Sequence, residues 1–357
     1  MLPGFRIRPI GGFLVVYRYA NELAKRGHGV SIVHPRRTTS AQTATDRAKA
    51  ATWATRKRVR YRGGRPSWFD LDRRVNVILT PDLQESRIPD GDAIFATACN
   101  TARYVWDYPR LKGAKLYLIQ GFEDWVCGIE EVEATWKLPM HKVVISQWLY
   151  EIGVGLGERE RLTHVPNGVD LDNFRELVPP RVRSPMRVGL LAHDSPVKGM
   201  RYGIEALKIA LRRFPEIEAV AFGTHPRPSE LPTWVHYYEN PSREELVSIY
   251  NSLAIFLHTS EREGWGLTGA EAVACGCALV ATDSGGIRDY AIEGETALLV
   301  RPRDATALAA RMMELVEDME LRTRLAESAS SKIKDFTWDR AASSLEGVLS
   351  RAVQGLP

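Results

Sequence analysis

The chain is poor in the features that mark several protein classes. Only four cysteines occur in 357 residues, Cys99, Cys127, Cys275 and Cys277. They form no regular framework, so a disulfide-stapled secreted scaffold is excluded, and unpaired thiols in a reduced, cytoplasmic setting are expected. Cys275-x-Cys277 is followed by no second ligand pair, so it makes no zinc site; both residues read as small buried groups near a helix end. No run approaches the roughly 20 apolar residues that span a bilayer. The opening stretch MLPGFRIRPIGG lacks the apolar core of a signal peptide. No Gly-x-Gly-x-x-Gly follows the first strand-like run, which argues against a dinucleotide-dependent oxidoreductase. Repeats and low-complexity tracts are missing too.

What is present suits two domains: the length is right for two, and 44% hydrophobic content can fill two cores. The net charge of +4 hides an asymmetry. Residues 36–74 carry twelve Lys/Arg against three Asp/Glu, an excess of +9 that leaves −5 for the rest of the chain. Trp53 and Trp68 are interleaved with this positive charge. The block reads either as a contact for an anionic membrane or diphosphate-lipid surface, or as a solvated loop. No nucleic-acid-binding module is present, so nucleic acid is not expected as a partner.

The second half alternates strand and helix patterns. Strand-like runs fall at 186–192, 217–223, 235–239, 254–258, 277–283 and 297–300. Helical patterns fall at 200–213, 243–251, 267–274, 287–293, 305–318 and 320–334. The first half alternates similarly but is more broken. This pattern predicts parallel sheets covered by helices, with ligands at the carboxyl ends of the strands. Three prolines in LVPPRVRSPM interrupt all periodicity and mark a boundary. The expected division is 1–178, 186–335, and a tail helix within 336–357 with Thr337 as its N-cap.

The most informative stretch is EGWGLTGAEAVACGCALV, from Glu263 to Val280. A strand-like run ending at His258 leads into a Gly264-Trp265-Gly266 turn and an apolar helix from Leu267. Unpaired N–H groups and the helix dipole at that N-terminus suit a phosphate. Glu271 lies about one turn into the helix and Glu263 on the loop before it. A phosphate cradle flanked by two hydroxyl-reading carboxylates describes a nucleotide-sugar site.

At these residues the chain resembles the retaining GT-B glycosyltransferases of family 4, which carry a Glu-x7-Glu pattern followed by a glycine pair and an acidic residue, here SGGIRD at 284–289. The likeness extends to PNGVD at 166–170, to Lys198-Gly199, and to an N-terminal glycine loop at Gly11-Gly12 followed by the helix pattern YANELAKRGHGV at 19–30. The middle segments IQGFEDW and KVVISQWL look most like bacterial polysaccharide and rhamnan-type transferases. The resemblance implies two Rossmann-like domains facing each other across a cleft, with the C-terminal helix crossing back. It implies transfer of a sugar, with retention, from a UDP-, GDP- or dTDP-sugar to a glycan, lipid-linked or small-molecule acceptor, without metal or cofactor. A non-catalytic homologue or a nucleotide-sugar epimerase on the same fold are the alternatives.

By the same resemblance Lys198 meets the diphosphate, Glu263 the donor sugar and Glu271 the ribose, while Gly11, Gly12, Gly264, Trp265, Gly266 and Leu267 supply close backbone approach. Relatives often carry an arginine where this chain has His193. Either His193 charges beside the diphosphate or another cation substitutes, with Arg262, Arg288, Arg6 and Arg8 as candidates. Relatives also often carry a first-domain histidine, but the matching strand end here reads ATACNTA. Thr97, Asn100, Gln120 and above all Glu123 are therefore the acceptor-side candidates. His28, His141, His164 and His258 read as structural. A buried first strand normally precedes the glycine pair, whereas only Met1-Leu2 precede Pro3-Gly4, so a start inside that strand is expected.

Overall fold

The computed structural model describes residues 1–38, 44–60 and 63–356. Residues 39–43 and 61–62 of the basic block lie outside the described residues. By contacts the chain divides into Met1–Pro166 with Trp338–Pro357, and Asn167–Thr337. The proline-rich segment read as the boundary therefore lies inside the second unit. Buried polar groups explain why. The Asn251 carboxamide accepts from Leu177 and Val178 N–H, and the buried Arg183 guanidinium donates to the Leu253 and Cys275 carbonyls.

The first unit runs α1 (Gly11–Lys25), β1 (Ser31–Pro35), α2 (Ala44–Arg60), β2 (Asn76–Thr80), β3 (Ala93–Ala96), α3 (Cys99–Asp107), β4 (Ala114–Ile119), α4 (Asp124–Cys127), α5 (Ile129–Trp136), β5 (His141–Val144), α6 (Gln147–Gly155) and β6 (Leu162–His164). β1 and β2 pair in parallel, and β3, β4, β5 and β6 form a second parallel set. Met1 and Leu2 sit between the two sets. Leu2 N–H donates to Val33 and the Met1 amine to Phe95. These two residues occupy the position where the sequence lacked a strand.

One difference concerns Gly11 and Gly12. They were expected in a loop, but they form the first turn of α1, with Ile10 as N-cap and its carbonyl accepting from Phe13 and Leu14. The apolar face of that helix begins at Phe13 and buries Tyr17, Ala20 and Ala24 among Leu2, Ile32 and Phe69. The helical pattern therefore starts well before Tyr19.

The second unit runs β7 (Arg187–Leu191), α7 (Met200–Leu211), β8 (Glu218–Gly223), β9 (His236–Glu239), α8 (Arg243–Ser252), β10 (Ile255–His258), α9 (Leu267–Ala274), β11 (Ala278–Thr282), β12 (Leu298–Val300), α10 (Ala305–Glu317) and α11 (Met319–Ile333). Its strands are parallel in the order β12-β11-β10-β7-β8-β9. The order reverses between β7 and β10, and ligands of such sheets bind at the carboxyl ends of the strands flanking that switch. β10 and β11 are fully buried, which explains their unbroken apolar runs.

The helix expected at 287–293 is only a 3-10 turn over Gly286–Asp289. The Thr296 hydroxyl donates to Tyr290 O and accepts from Ile292 N–H, so side-chain bonding replaces helical bonding there. The chain closes with α12 (Trp338–Val353), which starts directly after Thr337 and packs on α1 in the first unit.

Candidate functional site

β7 and β10 deliver two loops to the switch point of the second unit. The β7 loop carries His193 and a 3-10 turn, Pro196–Lys198, that ends at Gly199. Gly199 has φ +63°, and a Cβ there would stand 1.9 Å from Thr259 O, on the loop after β10. Only glycine lets the two loops meet this closely. The Thr259 hydroxyl donates to Lys198 O at 2.9 Å and ties them further.

The contact places Lys198 Nζ 2.7 Å from Glu263 Oε1. The same oxygen accepts from Ser260 Oγ at 2.7 Å. Burial pushes the Glu263 carboxyl up, but Lys198 and His258 outweigh it, so it lies below the usual carboxylate range. The Glu263 backbone is fixed as well. Its N–H donates to Ser284 and its carbonyl accepts from Gly286. The glycine pair thus serves to hold Glu263.

Gly266 caps α9 with φ +85°, where a Cβ would crowd Ile287, Tyr290 and the His258 ring. The Tyr290 hydroxyl donates to Gly266 O at 2.7 Å. The helix therefore begins at Leu267, and Glu271 falls just past its first turn. The buried Tyr250 hydroxyl donates to Glu271 Oε2 at 3.3 Å. Trp265 is buried and its indole donates to Asp289 at 3.2 Å, so its side chain is packing and only its backbone lies in the turn.

His193 Nδ1 accepts from Ser195 N–H at 2.9 Å. Burial first, then Lys198 and His225, hold its pKa below the ordinary value. Without a diphosphate beside it, the imidazole therefore favours its neutral form. Among the suggested substitutes, Arg288 is committed to Asp283 through two 2.7 Å bonds, and Arg6 and Arg8 belong to the first unit, where both are exposed.

In the first unit Gln120 packs on Gly12, its side chain 3.6 Å from the position a Cβ would take. Gln120 Oε1 and Asn100 Oδ1 are buried without a partner. Thr97 is committed elsewhere, donating to Met1 O. Glu123 Oε2 accepts from Cys99 N–H at 2.7 Å, at the N-terminus of α3. Burial raises its pKa to about 7.

Cys99 is bonded to Cys127, four residues beyond Glu123. The expectation of four unpaired cysteines is thus corrected, and with it the ground it offered for a reduced setting. The cause is spatial. β3 and β4 are neighbours, and the segments leaving them bring the N-terminus of α3 against the end of α4. Cys275 and Cys277 are free and buried, as expected.

A cavity of about 580 Å³ in the first unit is lined by Arg36, Lys49, Arg56, Lys57 and Arg60 around Trp53. It belongs to α2 and Arg36 rather than to the carboxylate loops of the second unit. No described helix is long and apolar enough to cross a membrane.

Sequence reasoning read His258 as structural and passed over Ser260, yet both face Glu263. The available signal was a histidine ending an otherwise apolar buried strand.

Residues 185–332 match the family model described as "Glycosyl transferases group 1". The match lies within the second unit, and the two parallel α/β units have the GT-B fold. Among curated proteins it is similar to the D-inositol 3-phosphate glycosyltransferase of Xylanimonas cellulosilytica, 31% identical over 56% of this chain and 53% of the relative. It is also similar to the phosphatidyl-myo-inositol mannosyltransferase of Mycolicibacterium smegmatis, 27% identical over 49% of this chain and 48% of the relative. The chain thus spans about half the length of these relatives. Two solved structures share the fold. Sucrose-phosphate synthase from Thermosynechococcus elongatus has a TM-score of 0.73 at 16% identity, covering 97% of this chain and 94% of that one. Anabaena HepE in complex with UDP has a TM-score of 0.72 at 16% identity, covering 97% and 98%.

Proposed function

We propose that this protein transfers a sugar, with retention of configuration, from a nucleoside-diphosphate sugar to an acceptor hydroxyl in bacterial polysaccharide or glycoconjugate synthesis. The observation that carries the reading is the Lys198–Glu263 pair beside the capped N-terminus of α9, with Glu271 just past the first helical turn. In this reading Lys198 turns to the leaving diphosphate and, with the N–H groups of Leu267 and its neighbours, stabilises the charge that develops as the glycosidic bond breaks. Glu271 accepts hydrogen bonds from the ribose and Glu263 from the donor sugar. The turn Gly264–Gly266 admits the phosphates close to backbone. Gly11 and Gly12 contribute to donor binding in this reading, and Glu123 orients the acceptor hydroxyl.

The UDP in the HepE structure makes UDP the first nucleotide to test, with GDP, dTDP and ADP beside it. A nucleotide at about a hundred times its Kd should add roughly 2.7 kcal/mol of apparent stability. One nucleotide should raise the Tm of the wild type and lose that effect in Glu271→Ala. A wild type unmoved by all four would reject the donor site. The neutral His193 favours a second reading, a nucleotide-sugar-binding homologue without turnover, because one expected cation is missing. Donor consumption across glycan, lipid-linked and inositol-type acceptors separates the two, and the anomeric configuration of any product tests retention.

The cavity on α2 supports contact with an anionic bilayer, which would put a cytoplasmic enzyme at the inner membrane face. Binding to phosphatidylglycerol vesicles should rise with anionic fraction and fall steeply between low and physiological salt. Binding indifferent to salt would reject it.

A further inference from the structure

His258 closes β10 and is 3% exposed, yet neither ring nitrogen has a hydrogen-bond partner. A buried polar group in this condition needs an explanation. Nε2 lies 3.7 Å from Glu263 Oε1, just beyond the reach of a hydrogen bond, which extends to about 3.2 Å. The ring abuts Gly266 and Gly269 at the start of α9, where a Cβ at either position would stand 3.2 Å from it. The charged groups that act on it are Glu263 and Lys198, and the Ser260 and Tyr290 hydroxyls complete its polar surroundings through Glu263 and the Gly266 cap.

In the ligand-free protein Glu263 takes its charge partner from Lys198. In the functional reading above, on which this inference rests, Lys198 must release Glu263 to reach the diphosphate. Within the protein Glu263 would then keep only the Ser260 hydroxyl, and a buried carboxylate stripped of its cation is strongly disfavoured. Something must replace the lysine.

We propose that His258 is a positioning residue that receives Glu263 from Lys198, its Nε2–H donating to Oε1 when the lysine turns to the leaving group. The handover keeps Glu263 ionised and fixed for the donor sugar while Lys198 works elsewhere. It explains why an imidazole stands unsatisfied in the wall of an otherwise apolar strand. It also gives the close packing on Gly266 a purpose, since a Cβ there would crowd Nε2, the atom that meets Glu263.

The first test needs no nucleotide. Imidazole NMR titrations are recorded for wild type, Lys198→Met, and Lys198→Met with Glu263→Gln. In the wild type, burial, with Lys198 nearby, lowers the His258 pKa from the ordinary histidine value. In Lys198→Met the His258 pKa should climb by about one unit or more as the ring engages the abandoned carboxylate, and adding Glu263→Gln should abolish the rise. No rise in Lys198→Met overturns the proposal. So does a rise that survives Glu263→Gln, because it would then reflect only the lost lysine charge.

The second test uses UDP-glucose turnover. His258→Gln retains an amide donor on a side chain of similar reach and should keep most of kcat. His258→Leu removes the unsatisfied nitrogens, so it should fold at least as stably, yet lose about tenfold or more in kcat with little change in KM. Equal kcat in the two variants overturns the proposal. A wild type that binds none of the four nucleotides fails the donor reading instead, and the titrations distinguish that failure from this one.

Discussion

Glu123 shows how one side chain can carry both a structural and a chemical role. Its carboxylate caps α3 through Cys99 N–H, an interaction that favours the ion. Burial outweighs that cap and raises the pKa from an ordinary 4.5 to about 7. The folded state therefore holds its proton more tightly than the unfolded chain does. The stability this contributes is complete below about pH 4.5 and is lost as the pH rises through 7, by at most roughly 3 kcal/mol. Denaturant unfolding between pH 4.5 and 8 should show that decline. Glu123→Gln, which keeps the acceptor for Cys99 N–H, should flatten it. A wild-type profile matching that of the variant would refute the assignment. For the proposed chemistry the consequence is direct: near neutrality Glu123 can either accept or give a proton, as an acceptor-orienting group must.

Among the elements, the strap from β4 to α5 is the least conventional. Glu123 O accepts from Cys127 N–H, its side chain accepts from Cys99 N–H, and the disulfide joins the two cysteines across 28 positions. A cross-link over such a loop contributes roughly 2–4 kcal/mol. Cys99→Ser or Cys127→Ser should lower the Tm accordingly. In denaturant, two thiols should react before reduction and four after it; four reactive thiols without reductant would show that the bond does not form.

This strap was also the least legible part of the sequence. The strands of the second unit could be read to within a residue or two, because continuous apolar runs such as 254–258 and 277–283 have no other comfortable home than a buried parallel sheet. The Glu263–Glu271 block could be read because glycine, carboxylate and apolar helix recur at fixed spacing. The pairing of Cys99 with Cys127 depends on β3 and β4 being neighbours, and the handling of Glu263 by Ser260 and Gly286 depends on which loops meet. Neither relation has a local signature. The start of α1 was missed because two glycines read as a turn, although the helix here tolerates them at its first positions, where little backbone bonding is lost.

At the scale of the whole molecule, the first unit is discontinuous in the chain. α12 returns to α1 with Trp338 edge-on to Tyr19 at 5.5 Å, and Arg26 pairs with both Asp339 and Glu346. His28, part of the glycine-histidine signature, pairs with Glu346 at 2.7 Å and so has the structural role expected of it. Removing residues 338–357 should expose the apolar face of α1 and destabilise the first unit selectively. A fragment of residues 167–337 alone should keep a cooperative melting transition. Equal loss in both units would contradict this division.

The same return of the chain sets an order of events during synthesis. Domains usually mature from the amino end as they leave the ribosome. Here the amino-terminal unit waits for residues 338–357, whereas the second unit, 167–337, is contiguous and complete before they are made. The nascent protein therefore carries an unfinished first unit, with the α1 surface uncovered, until that segment has emerged. Its susceptibility to chaperone capture and to proteolysis should peak before α12 emerges and fall once it has docked.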